Sequence, residues 1–351
     1  MPPQPQPLHS DCKGARRTML KIGKVPESVL KRSIIKQIRT KRPEILVGAG
    51  VGEDCAAIGL AEDEIFVTST DPITGTSHDI GALAVHVTAN DIASSGAEVI
   101  GIMLSVLLPE GSEEEELKTI MQQAEEVCKD LNIQTVGGHT EVTPVVNQTV
   151  ITATGIGKVK KDRLVKTSGA VPGDDVVVTK WIGLEGTSII AKEKEEELKK
   201  RFSPAFVEEA KGFAKYLSVV KDASVATSVG VSAMHDVTEG GIFGALWEIS
   251  EASGCGLEID LLDIPVKQET IEICEEFSIN PYGLISSGSM LITAPNGMDV
   301  VRQLTKAGIN AAVIGKVTSG NDRILINGDE KRFLEPPKSD ELYKIYGGDQ
   351  I

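Results

Sequence analysis

The stretch from Val67 to Leu108, VTSTDPITGTSHDIGALAVHVTANDIASSGAEVIGIMLSVLL, decides how the rest of the chain is read. It begins as a strand that Asp71 leaves, passes through an acidic loop, opens a helix at Asp79 and Ile80, and ends in a second strand from Val99 to Leu108. Asn90 and Asp91 lie on a helix otherwise built of Ala, Val, Ile and Ser. A carboxylate on so apolar a helix needs a counter-charge, because burial alone would neutralise or destabilise it. A divalent cation is the partner this pattern points to.

On the N-terminal side, Leu30, Ile34, Ile35 and Ile38 share one face of an expected helix that starts at Pro26. Val47 to Ile58 follows, with Gly48, Gly50 and Gly52 at alternate positions and Glu53-Asp54 behind them. Such a backbone can approach a ligand closely, and it reads equally well as a flexible turn before a strand. No Gly-Lys-Ser or Gly-Lys-Thr follows, so it is not the Walker pattern.

On the C-terminal side a long helix begins after Gly111, with Ser112 and Glu115 as a capping box and Leu117, Ile120, Met121, Ala124, Val127 and Leu131 as its apolar stripe. The acidic run Glu113 to Glu116 suits a solvated first turn. Ile133 to Glu141 gives a short strand ending at Gly137-Gly138, followed by His139, Thr140 and Glu141. The carboxyl ends of strands in open sheets are where ligands bind. A lone histidine serves equally as a structural hydrogen-bonding residue. Thr149 to Val159 alternates as a strand and closes the first half.

Pro172-Gly173-Asp174-Asp175 is a turn signature beside a small, polar segment, which puts a domain boundary nearby. The expected division is 1–18, a Pro- and Gln-rich disordered segment or tag with Met19 as a start; 19–168; 169–337; and a polar tail, 338–351. In the second half, Gly183-Leu-Glu-Gly186 leads into a helix, Lys192 to Arg201 is a charged helical face, and Ser203-Pro204 starts a further helix. A strand ends at His235-Asp236, and Gly240-Gly241 open a helix whose amides suit phosphate, while Asp236 suits either a metal or a simple helix cap.

The bulk properties narrow the function classes. With 351 residues there is room for two domains, and the low aromatic content of 4% requires cores of Val, Ile, Leu and Ala. A net charge of −15 argues against nucleic-acid or anionic-membrane surfaces, yet leaves a phosphorylated small molecule open through bridging Mg²⁺. The five cysteines are scattered without a CxxC pair, as for reduced thiols in a cytoplasmic protein, and no apolar run spans a bilayer.

Taken in order, GEDCAAI, TSTDP, HDIGALAVHVTANDIASSGA, GGHTEV, TGIGKV, PGDDVVVT, MHDVTEGG and NPYGLISSGSML resemble the superfamily of aminoimidazole ribonucleotide (AIR) synthetase (PurM), hydrogenase maturation protein HypE, thiamine monophosphate kinase and selenophosphate synthetase. Roughly residues 25 to 330 are covered, and the order of the eight motifs carries the likeness. It implies a mixed α/β (α+β) two-domain PurM-like fold, with the N-terminal domain forming a β-barrel at a homodimer interface and an α+β C-terminal domain. It also implies ATP, with Mg²⁺ held by carboxylates matching Asp54, Asp71, Asp91 and Asp236. Gly50, Gly52, Asp54, Asn90, Gly137, Gly138, Gly240 and Gly241 are the expected nucleotide contacts, and His139, Glu141 and Asp236 the expected catalytic groups.

The DVTEGG and SSGSML segments are nearest to HypE, whose members end in a reactive cysteine, whereas this chain ends Gly347-Gly-Asp-Gln-Ile351. Cys12-Lys13 is a poor match to the selenophosphate synthetase loop, and His139 stands where thiamine monophosphate kinases carry aspartate and the purine enzyme glutamate. The expected function is therefore a HypE-like enzyme using Mg-ATP to phosphorylate or activate an oxygen of a small molecule or a carboxamide, the acceptor being a small molecule or a protein. A non-catalytic ATP-binding partner in a hydrogenase-maturation complex and thiamine monophosphate kinase are the alternatives.

Overall fold

The computed structural model describes residues 19–50, 55–74, 79–336 and 339–346. The first half holds β1 (Gly23–Lys24), α1 (Glu27–Val29), β2 (Ile45–Val47), β3 (Ala57–Ile58), β4 (Glu64–Ile73), α2 (Ile80–Ser94), β5 (Glu98–Leu108), α3 (Glu114–Leu131), β6 (Gln134–Val142) and β7 (Val150–Lys160). Its main sheet runs β1-β6-β5-β7-β4, antiparallel except for the β5/β6 pair, whose crossover is α3. Helices α2 and α3 cover one face, and the core between helices and sheet is Val, Ile, Leu and Ala, as the scarcity of aromatics requires.

The second half holds β8 (Asp175–Thr179), α4 (Leu184–Glu193), α5 (Glu195–Leu198), α6 (Pro204–Lys211), α7 (Val220–Val229), β9 (Ala233–Val237), α8 (Gly241–Ser253), β10 (Gly256–Asp260), α9 (Gln268–Glu276), β11 (Ser289–Ala294), α10 (Gly297–Lys306), β12 (Ala311–Thr318), β13 (Arg323–Asn327) and β14 (Glu330–Phe333). Its sheet runs β14-β13-β10-β12-β8-β11-β9. The fold is thus mixed α/β with a sheet in each half. The first sheet is open in the single chain, and no closed barrel is present among the described residues.

Strand alternation explains why that sheet has one bare face. Phe66, Thr68, Thr70 and Pro72 of β4 are exposed while Val67, Ser69 and Asp71 turn toward α2, and Met103 of β5 shares the open side.

Several local expectations change. The segment after Pro26 is one short α-turn running into a π-helix, Leu30–Ile35. The capping box does not form: α3 starts at Glu114 with Glu113 as its cap, and Ser112 Oγ is buried without a partner. Glu114 is not simply solvated, because it binds Arg32 and Ser33. By contrast, the Ser203 hydroxyl does accept the Phe206 amide at 3.3 Å, with Pro204 in the first turn.

Candidate functional site

Three carboxylates from distant parts of the chain meet where α2 bridges the two halves. Asp71 sits inside β4 on the side facing α2, and Asp91 is in the last turn of α2. The Ser69 hydroxyl donates to Asp91 Oδ2 at 2.6 Å and lies 3.4 Å from Asp71 Oδ2. From the second half, Asp236 of β9 places Oδ1 3.1 Å from Ser94 Oγ, one turn beyond Asp91. Its other oxygen, Oδ2, is buried with no hydrogen-bond partner.

Electrostatics record the crowding. Burial, then the charge of Asp236 and a hydrogen bond to Asp71, push Asp91 up to about 8. Burial likewise raises Asp236, against the opposing pull of His235 and Ser94. Like charges gathered out of water, one with an orphaned oxygen, form an arrangement that a hard cation would relieve. All-oxygen donors fit Mg²⁺. Among the described residues no three such side chains are yet close enough to hold an ion as they stand, and Asp54, with Gly52, lies outside the described residues.

The sign of that crowding is testable. With Asp91 raised above its ordinary value, its contribution to folding is fully present below about pH 4 and fades as pH rises through about 8. Binding a divalent cation must displace its proton. Apparent Mg²⁺ affinity therefore rises with pH between about 7 and 9, with proton release, which calorimetry in buffers of different ionisation heat would measure.

The remaining expected residues divide. Gly50, Gly137, Gly138 and His139 line one 510 Å³ cleft with Phe66 and Met103 on the open side of the first sheet. However, β6 does not stop at Gly138; it continues to Val142, so His139 and Glu141 are inside the strand, 3.2 Å apart on its open side. The paired register sets His139 beside Ser105, Ser105 beside Thr152 and Thr152 beside Pro72, while Asp71 pairs with Ala153 on the opposite face. A period of two thus separates His139 and Glu141 from Asp236 within one chain. Gly138 is required by packing: its φ is +149°, and a Cβ would lie 2.0 Å from Leu104 O.

Asn90 is fully buried with both ends of its amide committed. Nδ2 donates to Leu217 O and Oδ1 accepts the Val219 amide, each at 2.8 Å. It joins α2 to the second half rather than offering itself to a ligand. Asn90→Ala would strand two buried backbone groups and is expected to cost about 2–4 kcal/mol in unfolding free energy, read from a denaturant melt. Gly240 and Gly241 open α8, but the Gly240 amide already donates to Asp340 Oδ2 at 2.7 Å, and a Cβ on Gly241 would lie 2.6 Å from Tyr282 O. A carboxylate of the chain itself thus occupies the amide expected to meet phosphate.

Ser69 and Ser94, which orient the carboxylates, were not singled out by sequence reasoning. The signal was present: Ser94 follows Asn90 by four residues and Ser69 precedes Asp71 by two, the spacings that share a face in a helix and in a strand.

Family models for AIR synthase related proteins match this chain, the N-terminal domain at residues 52–159 and the C-terminal domain at 171–326. A putative hydrogenase expression/formation protein of Methanocaldococcus jannaschii is 26% identical over 337 residues, 92% of this chain and 97% of that protein. Carbamoyl dehydratase HypE of Cupriavidus necator is 30% identical over 247 residues, 68% of each chain. The crystal structure of hydrogenase maturation protein HypE in complex with ATP superposes with a TM-score of 0.75 at 21% identity, covering 91% of this chain and 97% of that one. The chain therefore belongs to the AIR synthase-related, PurM-like superfamily, and stands within it among the relatives of HypE.

Proposed function

We propose that this protein is a HypE-like enzyme that uses Mg-ATP to phosphorylate or activate an oxygen of a small-molecule or carboxamide acceptor. The observation that carries the reading is the convergence of Asp71, Asp91 and Asp236 on one another from both halves, with one buried carboxylate oxygen unpaired. Asp71, Asp91 and Asp236, with Asp54, are the residues that would hold Mg²⁺, which supplies charge neutralisation for a triphosphate. Phosphoryl transfer asks for alignment more than for a strong protein nucleophile. Ser69 and Ser94 orient the carboxylates, and Asn90 holds α2 against the second half, so the acids are kept in one neighbourhood from which an ion would draw them together. ATP bound to the superposed HypE supports the nucleotide assignment.

The decisive experiment pairs calorimetry of Mg-ATP binding with an assay for ADP across small acceptors and carboxamides. Binding with acceptor-dependent ADP formation is expected. Binding without turnover for every acceptor would instead favour a non-catalytic nucleotide-binding partner, and no heat at millimolar nucleotide would end the reading altogether.

A second copy is the proposed cover for the open sheet face, completing a barrel across a two-fold axis. Phe66, on the edge strand β4, is 51% exposed, with the exposed Thr68 and Thr70 following it along the strand. Phe66→Asp is expected to convert a dimer to a monomer in sedimentation equilibrium while leaving the melting midpoint of the monomer unchanged. A chain that sediments as a monomer before substitution would refute the proposal.

A further inference from the structure

Lys180, directly after β8, is 7% exposed and stands at φ +56°. Both facts are costs. The left-handed region strains an L side chain where glycine would sit freely, and burial pulls the ammonium below the ordinary lysine range despite the neighbouring Asp222. The residue is nonetheless fixed along its whole length. Its amide donates to Asn310 O at 2.6 Å, and its carbonyl accepts Asn310 Nδ2 at 3.2 Å. Its Nζ donates to Ser218 O at 2.6 Å and to Asp222 Oδ2 at 3.2 Å, with Asp222 itself buried.

Stability alone is a poor reason for this residue. A buried ion pair gains little over apolar side chains of the same volume, and glycine would relieve the backbone. What the ammonium adds is direction, because it holds one carbonyl at hydrogen-bond distance. That carbonyl lies between the two groups that seat Asn90. Leu217 O, Ser218 O and Val219 N come from consecutive residues, with Asn90 gripping the outer two and Lys180 the middle one. From Asn90 the path to the acids is short. Asp91 is the next residue, and Ser94 Oγ lies 2.9 Å from Asn90 O and 3.1 Å from Asp236 Oδ1. The far end of that path returns to the sheet it left, since β11 pairs Leu291 with Val178 of β8 and Met290 with Asp236 of β9. One sheet therefore carries both Asp236 and Lys180, and α2 is tied to it through the backbone that Lys180 grips.

We propose that Lys180 is a positioning residue of the Mg-ATP site, acting through Ser218 and Asn90 to hold α2, and with it Asp91, at a set distance from Asp236. The inference rests on the Mg-ATP reading. Lys180 is bound to Ser218 and Asp222 rather than to the acids, and it sets where those acids stand when an ion draws them together.

Lys180→Met alone strands the Asp222 carboxylate without its cation, so it is paired with Asp222→Leu, which leaves the net charge of the chain unchanged. The full chain, shown to be folded by a denaturant melt, is titrated with Mg-ATP by calorimetry. The double variant is expected to bind about tenfold or more weakly than the parent, the order lost when a partner that orients a metal ligand is removed. Raising Mg²⁺ about tenfold should recover most of that loss by mass action, because the weakened element is the seat of the ion rather than of the nucleotide. Ile314→Val, which takes one buried methyl from β12 of the same sheet, should bind as the parent does and shows what loss of stability alone can do. A folded double variant that binds Mg-ATP like the parent, or one whose loss does not respond to Mg²⁺, would overturn the proposal. A parent chain that takes up no Mg-ATP would instead end the Mg-ATP reading, and this role of Lys180 with it.

Discussion

Asp91→Asn is expected to remove ADP formation while leaving the fold as stable as before, or slightly more so. The two halves of this result follow from one fact, that Asp91 is buried beside Asp71 and Asp236 and pushed up to about 8. Without a cation, the native carboxylate at Asp91 is a cost to the fold, since it must shed water and face like charges. Asparagine keeps the shape and can still take the Ser69 hydroxyl on its carbonyl oxygen, yet carries no charge. Thermal melting should therefore show an unchanged or raised midpoint. Turnover should move the other way, by about 10³-fold, the order lost when one preorganised electrostatic contact to a reacting phosphate is removed. Asp71→Asn should behave alike, whereas Ser94→Ala, which only orients Asp236, should cost about 10- to 100-fold. Stability and activity moving in opposite directions is the mark of a functional site rather than a packing position. If both fall together for Asp91→Asn, the residue is structural; if turnover is unchanged, it is no part of the reaction.

How far this arrangement was legible in the sequence differs residue by residue. Asp71 and Asp91 were readable because each breaks a strong local pattern, an acid on an apolar helix and an acid beside a strand, although Asp71 was expected to leave the strand and instead sits inside β4, which stays paired with β7 as far as Ile73. The helix from Ile80 and the strand ending at Leu108 were readable from period alone. What period could not deliver was length. β6 runs through Gly137-Gly138 because Leu104 approaches from the neighbouring strand, a contact invisible in one segment. That continuation turned His139 and Glu141 onto the open face and away from Asp236. Asn90 illustrates the same limit, since its partners are 127 and 129 residues away in the backbone around Ser218. Gly240 and Gly241 were read as a phosphate cradle, and only the placement of Asp340, 100 residues later, shows the amide occupied.

Gly81→Ala, at the start of α2, is the second substitution with a large expected effect, and its sign inverts what helix propensity alone would give. In an isolated helix the change should stabilise by up to about 1 kcal/mol, because alanine loses less backbone freedom than glycine. Here a Cβ on Gly81 would lie 2.2 Å from the Ile120 carbonyl oxygen of α3 and 3.2 Å from Gln123 Cβ. The first of these is backbone, so no side-chain rotation relieves it, and the two helices must part by more than about 1 Å to restore van der Waals separation. Parting them opens the seam where Ala84 and Leu117, both fully buried, lie in the same core. Overpacking of this kind costs about 1–3 kcal/mol or more and outweighs the propensity gain. The midpoint of thermal unfolding should fall by several degrees. The same displacement would carry Asp91 with α2, and a shift of about 1 Å at an aligned phosphoryl-transfer site costs about 10² in rate. Gly212→Ala supplies the control: Gly212 has an ordinary right-handed φ of −70°, and a Cβ there would meet only Lys215 Nζ at 4.0 Å. That variant should melt at or slightly above the parent temperature with turnover intact. A rise in stability for Gly81→Ala as well would mean that α2 and α3 stand farther apart than this, and that the position of Asp91 does not depend on their contact.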